Sequence, residues 1–227
     1  MQRDRTRSTH NKVFIGELSA WATKNTPNAP KNELVVLMPA HNESRNLPSS
    51  LFLVSQSQNL GSRDVSMLVC ANACTDTTLE VLEMLKLKHK NLDVVIENIP
   101  GKPRALNALI DKAEQEHRLG NEDVVLFLDA NAQVQPDTIA TLTGMLSKNK
   151  KLNAVSAHEL AWPPQTESIL DHVLFGISEV SLSSLALRDR KSSCTAVRGK
   201  VIRGVRFPEH VIADDLWLAM YLGVDTV

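Results

Sequence analysis

The amino-acid sequence predicts an α/β fold, with a Rossmann-like, mostly parallel sheet that carries helices on both faces. Two observations support this prediction. From Leu34 onward, short apolar runs alternate with segments whose apolar residues recur at helical spacing. A polar cluster follows each of the early apolar runs. With 227 residues, of which 43% are hydrophobic and 22% charged, the chain has enough apolar material for one sizeable core.

Each predicted strand is a short run of apolar and β-branched residues. The strands cover residues 34–38, 65–71, 93–97, 124–128 and 153–157. Helices are predicted between them, where apolar side chains fall three or four residues apart, around residues 47–54, 77–88, 106–113 and 136–146. Pro136 opens the last of these, with Asp137 in its first turn, where a negative charge suits the helix dipole. Right-handed crossovers then make the strands parallel.

Three segments lie outside this alternation. Residues 1–32 are polar and are predicted to form an arm or a peripheral helix, which leaves residues 33–227 as one domain. Residues 169–187 have apolar positions at helical spacing and are predicted to form an amphipathic surface helix. Residues 188–206 are rich in basic side chains, among them Arg198, and are predicted to form a charged surface loop.

Charge and cysteine content exclude several classes of function. A net charge of -1 and a pI near 6.7 give no electrostatic basis for a nucleic-acid partner. The three cysteines form no C-x-x-C pair, so neither a disulfide framework nor a zinc ribbon is predicted. No secretory signal or transmembrane segment is predicted. A cytoplasmic location is expected, with peripheral contact at the inner membrane face as a second option.

The polar clusters after the early strands are predicted to meet in one cleft, because the carboxyl ends of parallel strands share one edge of the sheet. They cover residues 39–43, 72–78, 101–104 and 129–131. No G-x-G-x-x-G and no G-x-x-x-x-G-K-S/T is present, which argues against dinucleotide-binding and P-loop phosphate sites. Asp129 either starts a turn or holds a ligand. A divalent cation, magnesium or manganese, that bridges a diphosphate to Asp129 fits the second option.

Five motifs in order resemble the inverting nucleotide-sugar glycosyltransferases of the GT-A fold, in particular family 2, over roughly residues 34–223. They are Pro39-Ala40-His41-Asn42-Glu43 for P-x-x-N-E, Asn72-Ala73-Cys74-Thr75-Asp76 for D-G-S-T-D, Gly101-Lys102-Pro103-Arg104-Ala105-Leu106-Asn107 for G-K-x-x-A-L-N, Asp129-Ala130-Asn131 for D-x-D, and Asp214-Asp215 for the E-D pair. The resemblance implies the GT-A fold for most of the chain.

The resemblance also implies site residues. The nucleotide-sugar donor would be bound at Pro39, Ala40, Asn42, Glu43, Asn72, Asp76, Lys102, Arg104, Asp129 and Ala130. A divalent metal ion, magnesium or manganese, would be held by Asp129 and Asn131. Asp214 and Asp215 would be the catalytic pair, with Asp215 as the base that takes a proton from an acceptor hydroxyl. Helix capping is the alternative role of the acid pair, and a solvated loop is the alternative for Lys102 and Arg104.

The sequence departs from the family pattern at several positions. Asn131 replaces the second acid of D-x-D, so metal affinity should fall and metal dependence stays open. Asn72 and Ala73 alter the segment near the base, so uridine is not implied. The chain also ends without the Q-x-x-R-W segment and membrane helices of processive synthases, which favours transfer of single sugars or a truncated chain.

The leading hypothesis is an inverting transferase that moves one sugar from a nucleoside-diphosphate sugar to an acceptor hydroxyl on a sugar, lipid, peptide or small molecule. Two alternatives stay open. A sugar-1-phosphate nucleotidyltransferase shares the α/β nucleotide-binding frame, but normally has a Gly-rich basic loop that is absent after Met38. A non-catalytic nucleotide-sugar binding module is favoured by Asn72, by Asn131 and by the short carboxyl end.

Overall fold

The structure is a computed structural model that describes residues 32–57, 59–157 and 192–222. In this part of the chain the elements run in the order β1 Glu33–Ala40, α1 Leu47–Ser55, β2 Asp64–Asn72, α2 Thr78–Lys88, β3 Leu92–Glu97, α3 Lys102–Gln115, β4 Val124–Leu128, α4 Thr138–Lys148, β5 Ala154–Ser156, β6 Cys194–Arg198, α5 Gly199–Ile202 and α6 Asp214–Leu222. Strands therefore alternate with helices as far as β5, as the sequence predicts.

The strands form one sheet in the order β3-β2-β1-β4-β6-β5. Strands β1 to β4 are parallel, which confirms the prediction, whereas β6 runs antiparallel to both β4 and β5. The register pairs Ala40 of β1 with Ala71 of β2, and Asn72 with Glu97 of β3. The carboxyl ends of β1, β2 and β3 therefore lie together, and the segments that follow them open onto one edge of the sheet.

The core lies on both faces of the sheet because alternate side chains of each strand point to opposite sides. In β1, Leu34, Val36 and Met38 belong to one apolar cluster, and Val35 and Leu37 belong to the other. Helices α1, α2 and α4 cover the first face, and α3, α5 and α6 contribute to the cluster on the second. This two-sided burial accounts for the uninterrupted apolar sequence of β1.

Strand β6 corrects one prediction. The described part of the basic segment 188–206 is not a surface loop, since it contains β6 and α5. Arg198 ends β6 with 7% of its surface exposed. Its guanidinium donates to the carbonyls of Leu146, Asn149 and Leu152, at and just after the last turn of α4. The last carbonyls of a helix have no partner within it, so the buried cation serves as a donor to the end of α4 and to the turn that follows it.

Other predictions differ from the structure by a few residues or lie outside it. Helix α4 begins at Thr138, so Asp137 is the N-cap residue, and it makes no side-chain capping hydrogen bond. The predicted arm lies outside the described residues except for Asn32, and the predicted helix at 169–187 lies wholly outside them. Among the described helices, none has the length and apolar character needed to cross a membrane.

Candidate active site

A cleft of about 200 Å³ lies at the carboxyl edge of the parallel strands. It is lined by Pro39, Ala40, His41, Glu43, Asn72, Lys102, Ala105, Asp129, Ala130 and Asn131. The structure thus brings together residues from all four polar clusters that the sequence predicts to converge. His41 and Ala105 also line the cleft, although neither was among the predicted site residues. Their position within the first and third motifs was the available signal for both.

Lys102 links two parts of this edge. It is the first residue of α3 and follows Gly101, whose φ of 142° suits glycine. Its Nζ atom lies 2.7 Å from Oδ1 of Asp129 and 3.1 Å from Oδ2 of Asp214. Asp129 follows β4, while Asp214 begins α6. One ammonium group therefore bridges the acid of the D-x-D position and the acid pair near the carboxyl end of the chain.

Burial and charge act in opposite directions at this bridge. Burial raises the pKa of Asp214 above its usual value, and the ammonium of Lys102 only partly offsets that effect. Burial alone would lower the pKa of Lys102, but Asp129 and Asp214 outweigh it and the pKa is raised. Lys102 is therefore a cation at neutral pH, and it holds a half-buried positive charge between two carboxyl groups.

Asp129 both forms a turn and faces the cleft, so the two interpretations of this residue are compatible. Its carbonyl accepts a hydrogen bond of 3.0 Å from the N–H of Ala132, which closes the turn. Its carboxylate lies against Lys102 at the cleft wall. Ala130 and Asn131 line the same wall, and the carbonyl of Ala130 accepts a hydrogen bond from Ser50. The turn thus presents the polar side chains of Asp129 and Asn131 to one side of the cleft.

Asn72 lines the cleft, but its side-chain amide is already hydrogen-bonded to backbone groups. Its Nδ2 donates to the carbonyl of Ile99 at 2.7 Å, and its Oδ1 accepts from the N–H of Gly101 at 2.9 Å. The carbonyl of Asn72 lies 2.7 Å from Nδ1 of His41. Asn72 therefore fixes the loop that leads to Lys102, a contribution that was not predicted from the sequence.

Asn42 and Asp76 lie beside the cleft lining rather than in it. Oδ1 of Asn42 accepts hydrogen bonds from the N–H groups of Thr75 at 2.8 Å and of Asp76 at 3.2 Å, which ties the first two polar clusters together. The carboxylate of Asp76 accepts from the hydroxyl and N–H of Thr78 at the start of α2. Its bond to the Thr78 hydroxyl, helped by Ser44, lowers the pKa of Asp76 to about 2.

The acid pair lines a smaller hollow that adjoins the cleft. This hollow shares Pro39, Lys102 and Asp129 with the cleft and also contacts both Asp214 and Asp215. Oδ1 of Asp215 accepts a hydrogen bond of 2.8 Å from the N–H of the next residue, so part of the capping alternative is present. The structure therefore brings the predicted donor-binding and catalytic acids to adjoining walls.

The structure places two groups of residues near the hollow differently from what the sequence predicts. Arg104 is absent from the lining of both spaces and forms an ion pair with Glu209. Ser192, Ser193 and Thr195 line the hollow, although this segment was predicted to be a charged surface loop. These small polar residues belong to β6 or directly precede it. Since β6 was not predicted, this wall of the hollow was not predicted either.

The metal prediction depends on Asp129 and Asn131. Within the described residues, no group of three or more histidine, cysteine, aspartate or glutamate side chains has the arrangement of a metal site. Asp129 and Asn131 line one wall and offer a carboxylate and an amide oxygen. Magnesium and manganese accept such hard oxygen ligands and commonly use few protein groups together with phosphate oxygens. The residues present therefore fit a cation that a diphosphate also ligates.

The mostly parallel sheet, the helices on both faces and the polar cleft at the strand ends define the class as the GT-A fold of nucleotide-sugar transferases. The chain belongs to glycosyl transferase family 2, because the model of that family matches residues 35–166, more than half of the sequence. This confirms the resemblance that the five motifs predict. No curated protein sequence matches the chain.

Solved structures of glycosyltransferases share the fold. The mannosyltransferase PcManGT from Pyrobaculum calidifontis, in complex with GDP-Man and Mn2+, matches with a TM-score of 0.61 and 20% identity over 94% of this chain and 61% of its own. S. aureus TarS 1-349 in complex with UDP-GlcNAc matches with a TM-score of 0.56 and 18% identity, over 84% of this chain and 53% of its own.

A third structure is glucosyl-3-phosphoglycerate synthase from Mycobacterium tuberculosis, in complex with Mn2+, UDP-glucose and glycerol 3-phosphate. It matches with a TM-score of 0.54 and 20% identity, over 92% of this chain and 70% of its own. At these identities the matches show the fold alone. The chain spans 61% of PcManGT and 53% of the TarS fragment.

Proposed function

We propose that the protein is an inverting glycosyltransferase that moves a single sugar from a nucleoside-diphosphate sugar to an acceptor hydroxyl. The observation that carries this proposal is the contact of Lys102 with both Asp129 and Asp214. It joins the acid of the donor motif and the acid pair in one continuous site. A transferase needs both halves within reach of one reacting carbon, whereas a binding module has no need of the second.

The donor is proposed to lie in the cleft, with its nucleoside near Pro39 and Asn72 and its diphosphate near Lys102 and Asp129. Lys102 supplies a positive charge at the cleft wall, which suits a diphosphate. PcManGT, TarS and the mycobacterial synthase were solved with GDP-Man, UDP-GlcNAc and UDP-glucose, which supports a nucleotide sugar as the ligand.

Asp129 and Asn131 are the residues proposed to hold magnesium or manganese. PcManGT and the mycobacterial synthase were solved with Mn2+, which supports this choice of cation. When bound, the cation would offset negative charge on the departing diphosphate. The neutral amide of Asn131 is expected to make this site weaker than one with two carboxylates.

Asp215 is proposed as the catalytic base. An acceptor hydroxyl is a poor nucleophile, so a carboxylate that takes its proton during attack accelerates transfer, typically by about 10²–10⁴-fold. Asp215 lines the hollow beside the donor cleft, and Asp214 next to it is held by Lys102. One attack on the side of the anomeric carbon opposite the diphosphate would invert its configuration.

The experiment that tests the proposal measures binding and transfer separately. Nucleoside diphosphates and their sugars, with and without Mn2+, should raise the melting temperature, because a ligand that binds the native state stabilises it. With the donor that binds, Asp215→Asn should keep nucleotide affinity and lose transfer. Products should gain one sugar by mass spectrometry, and NMR should show the inverted anomer.

Asp137→Asn is the control, because Asp137 is likewise an aspartate at the start of a helix but lines neither the cleft nor the hollow. It should transfer at the wild-type rate. Full transfer by Asp215→Asn would remove Asp215 from its proposed role. Absence of a thermal shift with every nucleotide would contradict the nucleotide-sugar proposal itself.

A further inference from the structure

One face of α3 contacts the chain segment that leads to the acid pair. Four polar side chains of this face are spaced three, four and three residues apart, which places them in one row along a helix. Arg104 contacts Glu209, and Asn107 contacts Phe207. Asp111 contacts Arg206, and Glu114 contacts both Arg206 and Gly204. The partners follow in reverse order, so the segment at 204–209 runs antiparallel to α3 and is held along its length.

Asn107 makes the most specific contact in this row. Its Nδ2 donates to the carbonyl of Phe207 at 2.9 Å, and its Oδ1 accepts from the N–H of Phe207 at 2.8 Å. Both polar ends of the side-chain amide therefore bind the backbone of a single residue. Because Phe207 is 2% exposed, its backbone groups have little access to water and need these partners.

The ring of Phe207 connects the same point to the sheet and to α6. It packs edge-on against Phe127 of β4, with ring centroids 6.0 Å apart, and against Trp217 of α6 at 4.8 Å. Trp217 lies in the first turn of α6, two residues after Asp215. The position of Phe207 therefore influences where α6, and with it Asp214 and Asp215, lies relative to the sheet.

We infer that Asn107 is a positioning residue for transfer, because it holds the segment that sets Asp214 and Asp215 against Lys102. This inference rests on the proposed function. Lys102 and Asn107 belong to the same helix and lie five residues apart. One contacts Asp214 directly and the other fixes Phe207, so a single rigid element controls the acid pair from two points. A shift of about 1 Å in reacting groups can lower turnover roughly 100-fold.

Asn107→Asp tests the inference with minimal change of volume. One carboxylate oxygen still accepts from the N–H of Phe207, but the other oxygen faces its carbonyl and cannot donate. We expect kcat for transfer to fall tenfold or more. The Kd for the nucleoside diphosphate, measured by calorimetry, should stay within twofold, because Asn107 does not line the donor cleft.

Asn91→Asp is the matched control. Its Nδ2 likewise donates to a carbonyl, that of Val65, at 2.9 Å, but at the amino ends of β2 and β3, away from the cleft. It should leave kcat within twofold of wild type. A lower kcat at constant nucleotide Kd indicates a positioning role. General loss of folded protein would instead lower the fraction of active sites in both assays.

Glu209→Gln provides a second variant in case Asn107→Asp does not fold. The side chain of Glu209 is 62% exposed, so folding should tolerate the change, while its ion pair with Arg104, which holds the end of the segment at 204–209, is lost. We expect kcat to fall at least threefold at constant nucleotide Kd. Wild-type kcat in the folded variants would overturn the inference, as would a fall in kcat matched by weaker nucleotide binding. Absence of transfer by the wild-type protein would instead contradict the proposed function.

Discussion

Replacement of Lys102 by methionine removes the cation between Asp129 and Asp214 while retaining an unbranched side chain of similar length. The two carboxyl groups then face each other without a counter-charge, and Asp214 is 17% exposed at its side chain. We predict that Lys102→Met lowers the free energy of unfolding at neutral pH. The prediction follows from the two contacts of 2.7 and 3.1 Å.

The magnitude follows from the exposure of the three groups. Two unit charges about 4 Å apart attract by about 4 kcal/mol at an effective dielectric constant near 20. The side chain of Lys102 is 39% exposed and that of Asp129 is 36% exposed, so solvent screens much of this attraction. Exposed ion pairs contribute about 0.2–1 kcal/mol, and two pairs at the upper end of that range give about 1–2 kcal/mol. For a chain of this size the melting temperature should fall by about 2–8 °C.

The effect of pH follows from the directions of the two pKa shifts. The raised pKa of Lys102 means that its contribution to stability is present below its ordinary value of 10.5 and is lost as the pH rises through the folded-state pKa. The raised pKa of Asp214 means that its ionisation opposes folding as the pH rises above 3.8. Lys102→Met should therefore differ most from wild type between these limits, and the difference should decrease toward both ends.

Urea unfolding at several pH values between 3 and 11 measures this difference, and Lys112→Met is the matched control. Lys112 lies on the same helix, its side chain is 38% exposed, and it forms one ion pair with Glu116 at 2.6 Å. Its replacement should lower the unfolding midpoint much less, because an exposed ion pair between residues four apart on a helix contributes only about 0.3–0.5 kcal/mol. Equal midpoints for Lys102→Met and Lys112→Met at neutral pH would refute the argument that the shared cation stabilises this edge.

Three further predictions concern other parts of the molecule. Arg198→Met should lower the free energy of unfolding in urea by about 2 kcal/mol or more, because the carbonyls of Leu146 and Leu152 lose their donor at about 1–3 kcal/mol each, while that of Asn149 keeps the N–H of Leu152; a loss below about 1 kcal/mol would contradict this. Asp76→Ala should lower the melting temperature at neutral pH but not near pH 2. The lowered pKa of Asp76, about 2, means that its carboxylate stabilises the fold above pH 3.8 and that this stabilisation is lost as the pH falls through about 2. Asn131→Asp should tighten Mn2+ binding roughly tenfold in calorimetry with a nucleoside diphosphate, since a charged ligand replaces a neutral one, and unchanged affinity would remove Asn131 from the proposed metal site.

The parallel half of the fold was predictable because its signal is local. Strands such as β1 and β4 are buried on both faces, and two-sided burial requires a continuous apolar run that is visible in the sequence. Strand β6 gave no such signal. It is five residues long and ends in Arg198, whose burial depends on carbonyls at and after the end of α4, about 50 residues earlier. No pattern within the segment reveals that partner.

The same distinction applies to the candidate site. Convergence of the polar clusters followed from the parallel order of the strands, so Asp129, Lys102 and Asn72 were expected at one cleft. The hydrogen-bond partner of each side chain could not be predicted from the order of the strands. The amide of Asn72 binds Ile99 and Gly101, which depends on the path of the loop after β3. Residue type and strand position thus predict location, whereas hydrogen-bond partners depend on loops that vary in shape.

The spacing within the G-K-x-x-A-L-N motif follows from how α3 is placed. Lys102 opens the helix and reaches the acids, while Ala105 and Leu106 come within a turn and are almost fully buried against the sheet. Ala105 also lines the cleft, so a small residue there keeps the helix close to it without filling it. Asn107 then emerges beside the buried face, where it meets Phe207. Since a helix turns by about 100° per residue, one insertion between Lys102 and Asn107 would direct one of the two away from its partner.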